Sequence, residues 1–128
     1  MAARHADWMA QAERDLKVAR DNCAQGYFEW SAFQSQQAAE KAVKALLRYH
    51  NVEVTGHTIT ALLQQAANYV AVSPDLLIAA RELDRHYITP RYPNGFAAGY
   101  PAQYYDEPTA QRCIADAERI LAFVRENL

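Results

Sequence analysis

Between Phe28 and His50 the chain reads FEWSAFQSQQAAEKAVKALLRYH, a run with neither Gly nor Pro. It is dense in Ala, Leu, Gln, Glu and Lys, which give up little side-chain freedom on entering a helix. It therefore predicts one helix of about 34 Å, long enough to cross a small domain. Phe33, Ala38, Ala39, Ala42, Val43, Ala45, Leu46 and Leu47 cover more than half of its circumference, and a helix apolar that far round has to be surrounded by others. The remaining positions, Gln36, Gln37, Glu40, Lys41 and Lys44, make a polar stripe with Gln36/Glu40 and Glu40/Lys44 at i,i+4 spacing. Lys41 and Lys44 read either as positive charge for a site or as a solvated face shared with Glu40.

The flanking segments supply the surrounding helices. From Ala3 to Gln25, Trp8, Ala12, Leu16, Ala19 and Cys23 recur with the helical period, and Gly26 ends the pattern. The almost absent linker makes the first two helices an antiparallel hairpin. Thr58 opens a third helix with Ile59, Leu62, Leu63 and Ala66 inward, running to Asn68 or Tyr69. Ser73, Pro74 and Asp75 form the start of a fourth, with Leu76, Leu77, Ala80, Leu83 and Tyr87 as its core and Pro90 as its limit. Pro108 and Thr109 mark the last, which carries Ile114, Ala117, Ile120, Leu121 and Val124. No segment alternates long enough to argue a strand. The expected fold is all-α: an up-and-down antiparallel bundle of about five helices in one domain, residues 1–128, with a long ordered loop before the last helix.

That loop, residues 88–108, holds Pro90, Pro93, Pro101 and Pro108 together with Tyr92, Phe96, Tyr100, Tyr104 and Tyr105. Disordered segments are poor in aromatics, so the loop should fold back onto the bundle and carry specificity. A formal charge of −2 and a pI near 6.1 exclude a globally basic nucleic-acid binder but leave room for a local basic patch. Cys23 and Cys113 lack any metal-ligand spacing and read as small buried hydrophobes in a reducing compartment. With no apolar run of membrane-spanning length and no signal-type leader, a cytoplasmic protein without a cofactor is expected.

Trp8, Asp15-Leu16, Tyr27, Phe33, the run Gln37-Ala38-Ala39-Glu40-Lys41-Ala42-Val43-Lys44-Ala45-Leu46, Gly56-His57 before Leu62-Leu63, Leu83, Tyr87 and Arg91-Tyr92-Pro93 occur in this order. Over nearly the whole chain this series resembles the HEPN family (higher eukaryotes and prokaryotes nucleotide-binding). The resemblance implies a helical bundle similar to the C-terminal part of kanamycin nucleotidyltransferase. It also implies association as a dimer or higher homo-oligomer, and pairing with a minimal nucleotidyltransferase as a toxin–antitoxin-like couple. Some members are metal-independent RNases that use an Arg-x4-6-His motif.

Two sets of residues are candidates. Arg81 and His86 fit Arg-x4-His and imply an endoribonuclease, with His86 moving a proton at the 2′-hydroxyl and Arg81 stabilising the phosphorane. Such a spacing arises about once by chance in a chain with this many Arg and His. In addition, five helical positions turn through about 140°, which puts the two side chains on different faces of a straight helix. The second set is a nucleotide or phosphate site formed by Arg91, Tyr92, Lys44 and His57, in which a guanidinium clamps a phosphate while a Tyr ring stacks a base. For Arg91 the alternative is an ion pair to Glu40 or another carboxylate that pins the loop. For His57 it is a bracing role at the start of the third helix. The other tyrosines, with Trp8 and the Trp30/Phe33 pair, read as core or subunit-interface residues. The leading expectation is a binding module. The endoribonuclease is the rival, and a structural oligomer without ligand is a third possibility.

Overall fold

The computed structural model describes residues 4–128; Ala3, the expected start of the first helix, lies outside them. Among the described residues there are six helices and no strand: α1 (His5–Ala24), α2 (Phe28–Tyr49), α3 (Ile59–Ala66), α4 (Pro74–Asp84), α5 (Pro101–Tyr104) and α6 (Glu107–Glu126). The all-α bundle is as expected. α2 is the axis, and α1, α3, α4, α5 and α6 all pack against it.

On α1, Ala12, Leu16, Ala19 and Cys23 face inward with Met9, and Trp8 is half-buried under the cationic side chains of Lys44 and Arg48. At Gly26 the backbone takes φ +86°, the left-handed region that only Gly enters cheaply. Its N–H and that of Tyr27 close the helix end on the carbonyls of Cys23 and Asn22. The chain reverses there and α2 returns along α1, with the Ser31 hydroxyl donating to the Ala19 carbonyl at 2.7 Å. Ala38, Ala39, Ala42, Val43, Ala45, Leu46 and Leu47 are fully shielded, and their small volumes let the neighbouring backbones approach. α6 closes the bundle with Ala117, Ile120, Leu121 and Val124, packing on α2, α4 and α1. Its N-terminus is capped by Asp106, which accepts from the Thr109 N–H at 2.9 Å. Hydrogen bonding from the Thr109 side chain, with that backbone bond beside it, holds the Asp106 carboxyl below its ordinary range.

One expectation about the second half needs correction. The fourth helix stops at Asp84 and not near Pro90, so Tyr87 is a half-buried residue of the following turn rather than a helical core position. The N–H groups of Arg85 and His86 bond back only three residues, to Glu82 and Leu83, which tightens and ends the helix. Asp84 meanwhile caps a different helix: it accepts from Ile59 N at 2.7 Å, Thr60 N at 3.2 Å and Thr60 Oγ1 at 2.7 Å, fixing the start of α3. The long loop is ordered, as expected. It contains a 3-10 turn at Pro93–Gly95 and the single turn of α5. Pro90, Pro101 and Tyr105 are buried, and Phe96 stacks on Tyr104 with ring centroids 4.2 Å apart. The segment folds back on the bundle as its aromatic content suggested.

Cys23 and Cys113 are free and buried, and burial pushes both thiols up, Cys113 to about 12 with the negative charges of Asp116 and Glu82 adding to the effect. Among the described residues no helix is long and apolar enough to cross a membrane.

Candidate functional site

A helix surrounded on every side has to bury its polar residues too. Gln36 is fully shielded, while Glu40 and Lys44 retain 4% and 8% exposure, so the expected solvated stripe is in fact an internal polar network. Glu40 is its centre. Its carboxylate accepts from Lys44 Nζ at 3.0 Å and from Gln36 Nε2 at 3.2 Å, and both of its oxygens lie 3.2 Å from Nδ1 of His57. Gln36 also donates to the backbone carbonyl of His57 at 3.0 Å. Buried charges persist only when paired and hydrogen-bonded on every side, and this one is. Lys41 has a different partner, Asp15, at 2.6 Å.

His57 is delivered to Glu40 by the turn before α3, where Gly56 has φ +108°, a conformation closed to residues with a Cβ. The histidine side chain remains half exposed, and its ring stacks on Tyr87 at 4.3 Å with the planes 17° apart. A cleft of about 300 Å³ opens here, lined by His57, Thr58, Asp84, Arg85, Tyr87, Ile88 and Thr89.

Arg91 completes the arrangement. Its Nε donates to the Tyr87 carbonyl at 2.7 Å, and its guanidinium carbon lies 4.5 Å from the Phe33 ring centroid, 4.6 Å from that of Tyr87 and 5.2 Å from that of Tyr92. The alternative of an ion pair to Glu40 is not what holds it, because the Glu40 oxygens are taken by Gln36, Lys44 and His57. Among the described residues no carboxylate pairs with Arg91. A guanidinium has five N–H donors, and among the described residues only Nε–H of this one is used. The side chain is therefore oriented by aromatic faces and a carbonyl and not by a carboxylate.

Of the residues named from the sequence for a phosphate site, His57 and Arg91 each pack on the ring of Tyr87 and Tyr92 lies beside Arg91, whereas Lys44 is buried and paired with Glu40. Tyr87 and Glu40 are the central pieces that sequence reading assigned elsewhere. The i,i+4 pair Glu40/Lys44 on a helix apolar nearly all round was the available signal for a buried network; nothing local marked Tyr87.

Arg81 and His86 are arranged differently. Arg81 is exposed on α4, and His86 lies beyond the end of that helix, its Nδ1 2.8 Å from the Tyr105 hydroxyl. Burial, reinforced by the Arg85 charge, lowers the His86 pKa and favours the neutral ring. Within one chain no hydrogen bond joins the two. Nearby, Asp116 of α6 is buried beside Glu82 of α4, and burial, with the Glu82 charge and the hydrogen bond between the two carboxyls, raises its pKa well above the usual carboxylate range. A carboxyl whose folded-state pKa is raised favours folding when protonated. Its contribution is full at acid pH and is lost as pH climbs toward neutrality. Asp116→Asn should therefore raise the melting temperature by several degrees at pH 8 and by much less at pH 5, as read by thermal unfolding across that range.

A larger groove, about 780 Å³, runs between α1 and α6. Its one lining cation, Arg20, is paired with Glu118 at 2.6 Å, so it offers no free positive charge.

The comparisons with known proteins agree with this architecture. The model of the HEPN domain matches residues 5–127. The candidate toxin MJ1304 of Methanocaldococcus jannaschii is 26% identical, over 94% of this chain and 86% of that protein. The crystal structure of TT1696 from Thermus thermophilus superposes with a TM-score of 0.97 at 38% identity, covering 99% of this chain and 100% of that one. That of ST0689, an archaeal HEPN homologue, does so with a TM-score of 0.82 at 43% identity over 98% of both chains. With the family model spanning almost its entire length and its fold shared with these structures, the chain belongs to the HEPN domain family.

Proposed function

We propose that this HEPN protein is a binding module whose ligand is the phosphate of a nucleotide or RNA, held at the face formed by Arg91, Tyr92, Tyr87 and His57. The observation that carries this reading is the Arg91 guanidinium, oriented by three aromatic rings and the Tyr87 carbonyl yet paired with no carboxylate among the described residues. Forked donors of this kind match two phosphate oxygens. Tyr92 and Trp30, both about half exposed, are available to stack a base. The module works as a homo-oligomer and as the partner of a minimal nucleotidyltransferase in a toxin–antitoxin-like pair. The family and the likeness to a candidate toxin support that role. Isothermal titration of the purified protein with adenosine 5′-monophosphate tests the site. Binding that disappears or weakens at least about tenfold in Arg91→Ala supports it, and no binding by the wild type overturns it. Co-expression with a minimal nucleotidyltransferase tests the pairing, which predicts a co-purifying complex.

A second reading is a metal-independent endoribonuclease using Arg81 and His86, favoured by the relative's name and by the neutral state of His86, which suits a general base. It predicts cleavage of a mixed RNA in EDTA that His86→Ala abolishes without lowering the melting temperature by more than a few degrees. RNA left intact by the wild type removes this reading.

A further inference from the structure

The N-terminus of α3 is capped from outside its own segment. Thr58 stands where a threonine hydroxyl ordinarily accepts from the N–H groups of the first turn, yet its side chain makes no capping bond. Asp84 takes that role, its carboxylate holding the Ile59 and Thr60 N–H groups and the Thr60 hydroxyl. The Thr58 hydroxyl is thereby released, and Thr58 lines the cleft of about 300 Å³ that opens beside His57 and Tyr87. Thr89, in the segment after α4, lines the same cleft with a second hydroxyl. Arg85 supplies positive charge there, and among the described residues no carboxylate pairs with it. The carboxylate of the lining, Asp84, is committed to α3.

His57 decides which kind of ligand this cleft suits. Glu40 occupies its Nδ1, with both carboxylate oxygens 3.2 Å away, so Nε2 is the ring atom left for a ligand. A bare anion only accepts, and it can bond to Nε2 only where that atom carries a hydrogen. A hydroxyl both donates and accepts, so it pairs with Nε2 in either form, and it pairs equally well with the hydroxyls of Thr58 and Thr89. A forked cation beside groups that suit hydroxyls is the donor set for a phosphorylated sugar. The volume lies at the lower end of the range for small-molecule sites, which is room for the sugar and its phosphate without a base. We infer that the cleft is a sugar-phosphate subsite, in which Arg85 takes the phosphate while Thr58, Thr89 and Nε2 of His57 take the hydroxyls. It goes beyond the phosphate reading at Arg91 and stands without it, because neither Arg91 nor Tyr92 lines the cleft.

The test is an NMR titration of the full-length, backbone-assigned protein with ribose 5-phosphate, with 2-deoxyribose 5-phosphate and inorganic phosphate as controls. The expected result is a set of saturable shift changes centred on Thr58, Arg85 and Thr89. Binding should be at least about fivefold weaker for the deoxy sugar, which lacks one hydroxyl, and weaker still for inorganic phosphate. Arg85→Ala should weaken ribose 5-phosphate binding at least about tenfold. Thr58→Val and Thr89→Val, which exchange a hydroxyl for a methyl, should each weaken it several-fold. Equal affinity for either control overturns the sugar assignment. Shift changes centred on Arg91 and Tyr92, or an affinity unaltered in Arg85→Ala, overturn the subsite and leave the reading at Arg91 standing. No saturable change overturns the subsite alone, since the reading at Arg91 fails separately, by the absence of adenosine 5′-monophosphate binding.

Discussion

Glu40→Ala should destabilise the protein by about 3–5 kcal/mol, the range for removing one partner of a buried ion pair. The reason lies in what it leaves behind. The side chains of Glu40 and Lys44 are only 5% and 9% exposed, and the Lys44 ammonium has the Trp8 ring, 5.8 Å from Nζ, as its other neighbour. With the carboxylate gone, an ammonium remains inside a packed helix interface, Gln36 loses an acceptor and His57 loses its anchor. The double variant Glu40→Gln/Lys44→Met removes both charges while nearly preserving volume, and should cost far less than Glu40→Ala alone. Urea unfolding of the three proteins measures the difference. A loss below about 1 kcal/mol for Glu40→Ala would mean that the pair behaves as a solvated one and that the network at the bundle's centre is misread.

Arg91→Ala should weaken phosphate binding roughly ten- to a hundredfold, equivalent to about 1.5–3 kcal/mol for charge-assisted hydrogen bonds. Its effect on stability should be small by comparison. The side chain is half-buried, its only hydrogen bond among the described residues is from Nε to the Tyr87 carbonyl, and it otherwise lies against the rings of Phe33, Tyr87 and Tyr92. Arg91→Lys keeps the charge but loses the fork and the flat stack on Phe33 and Tyr87, so it should recover only part of the affinity. The separation matters: Glu40→Ala should disturb both stability and binding, whereas Arg91→Ala should disturb binding alone. If Arg91→Ala instead lowered the melting temperature sharply and left nucleotide affinity unchanged, the residue would be a loop pin.

The frame of this fold was legible because the central run is unusual. A helix apolar around most of its surface has few ways to exist outside a bundle, and the Ala-rich face from Ala38 to Leu47 is buried as that pattern requires. Helix starts with a chemical signature, such as Ser73-Pro74, were also readable. The end of α4 was not. Pro90 sets an outer limit for a helix, but the actual stop at Asp84 depends on that carboxylate capping α3, 25 residues away along the chain from Ile59. Spacing along one segment carries no information about such a contact.

The candidate site was legible in the same uneven way. Arg91, Tyr92 and His57 stood out by residue type and by their place beside Pro93 and Gly56. Their common support, Tyr87, was invisible because its period matched a helical core position. Glu40 looked like half of a surface i,i+4 pair, since local pattern cannot tell a solvated stripe from one enclosed by α3 and the turn before it. His86 is the opposite case. It stood out through a short motif, and the contact it makes, with the Tyr105 hydroxyl, comes from the far end of the loop.

The most direct test of the central claim is an NMR titration of the backbone-assigned protein with adenosine 5′-monophosphate. The account predicts chemical-shift changes that saturate together and centre on His57, Tyr87, Arg91 and Tyr92, with the Glu40 amide following. Changes centred on Arg81, His86 and Tyr105, or no saturable change at all, would contradict it.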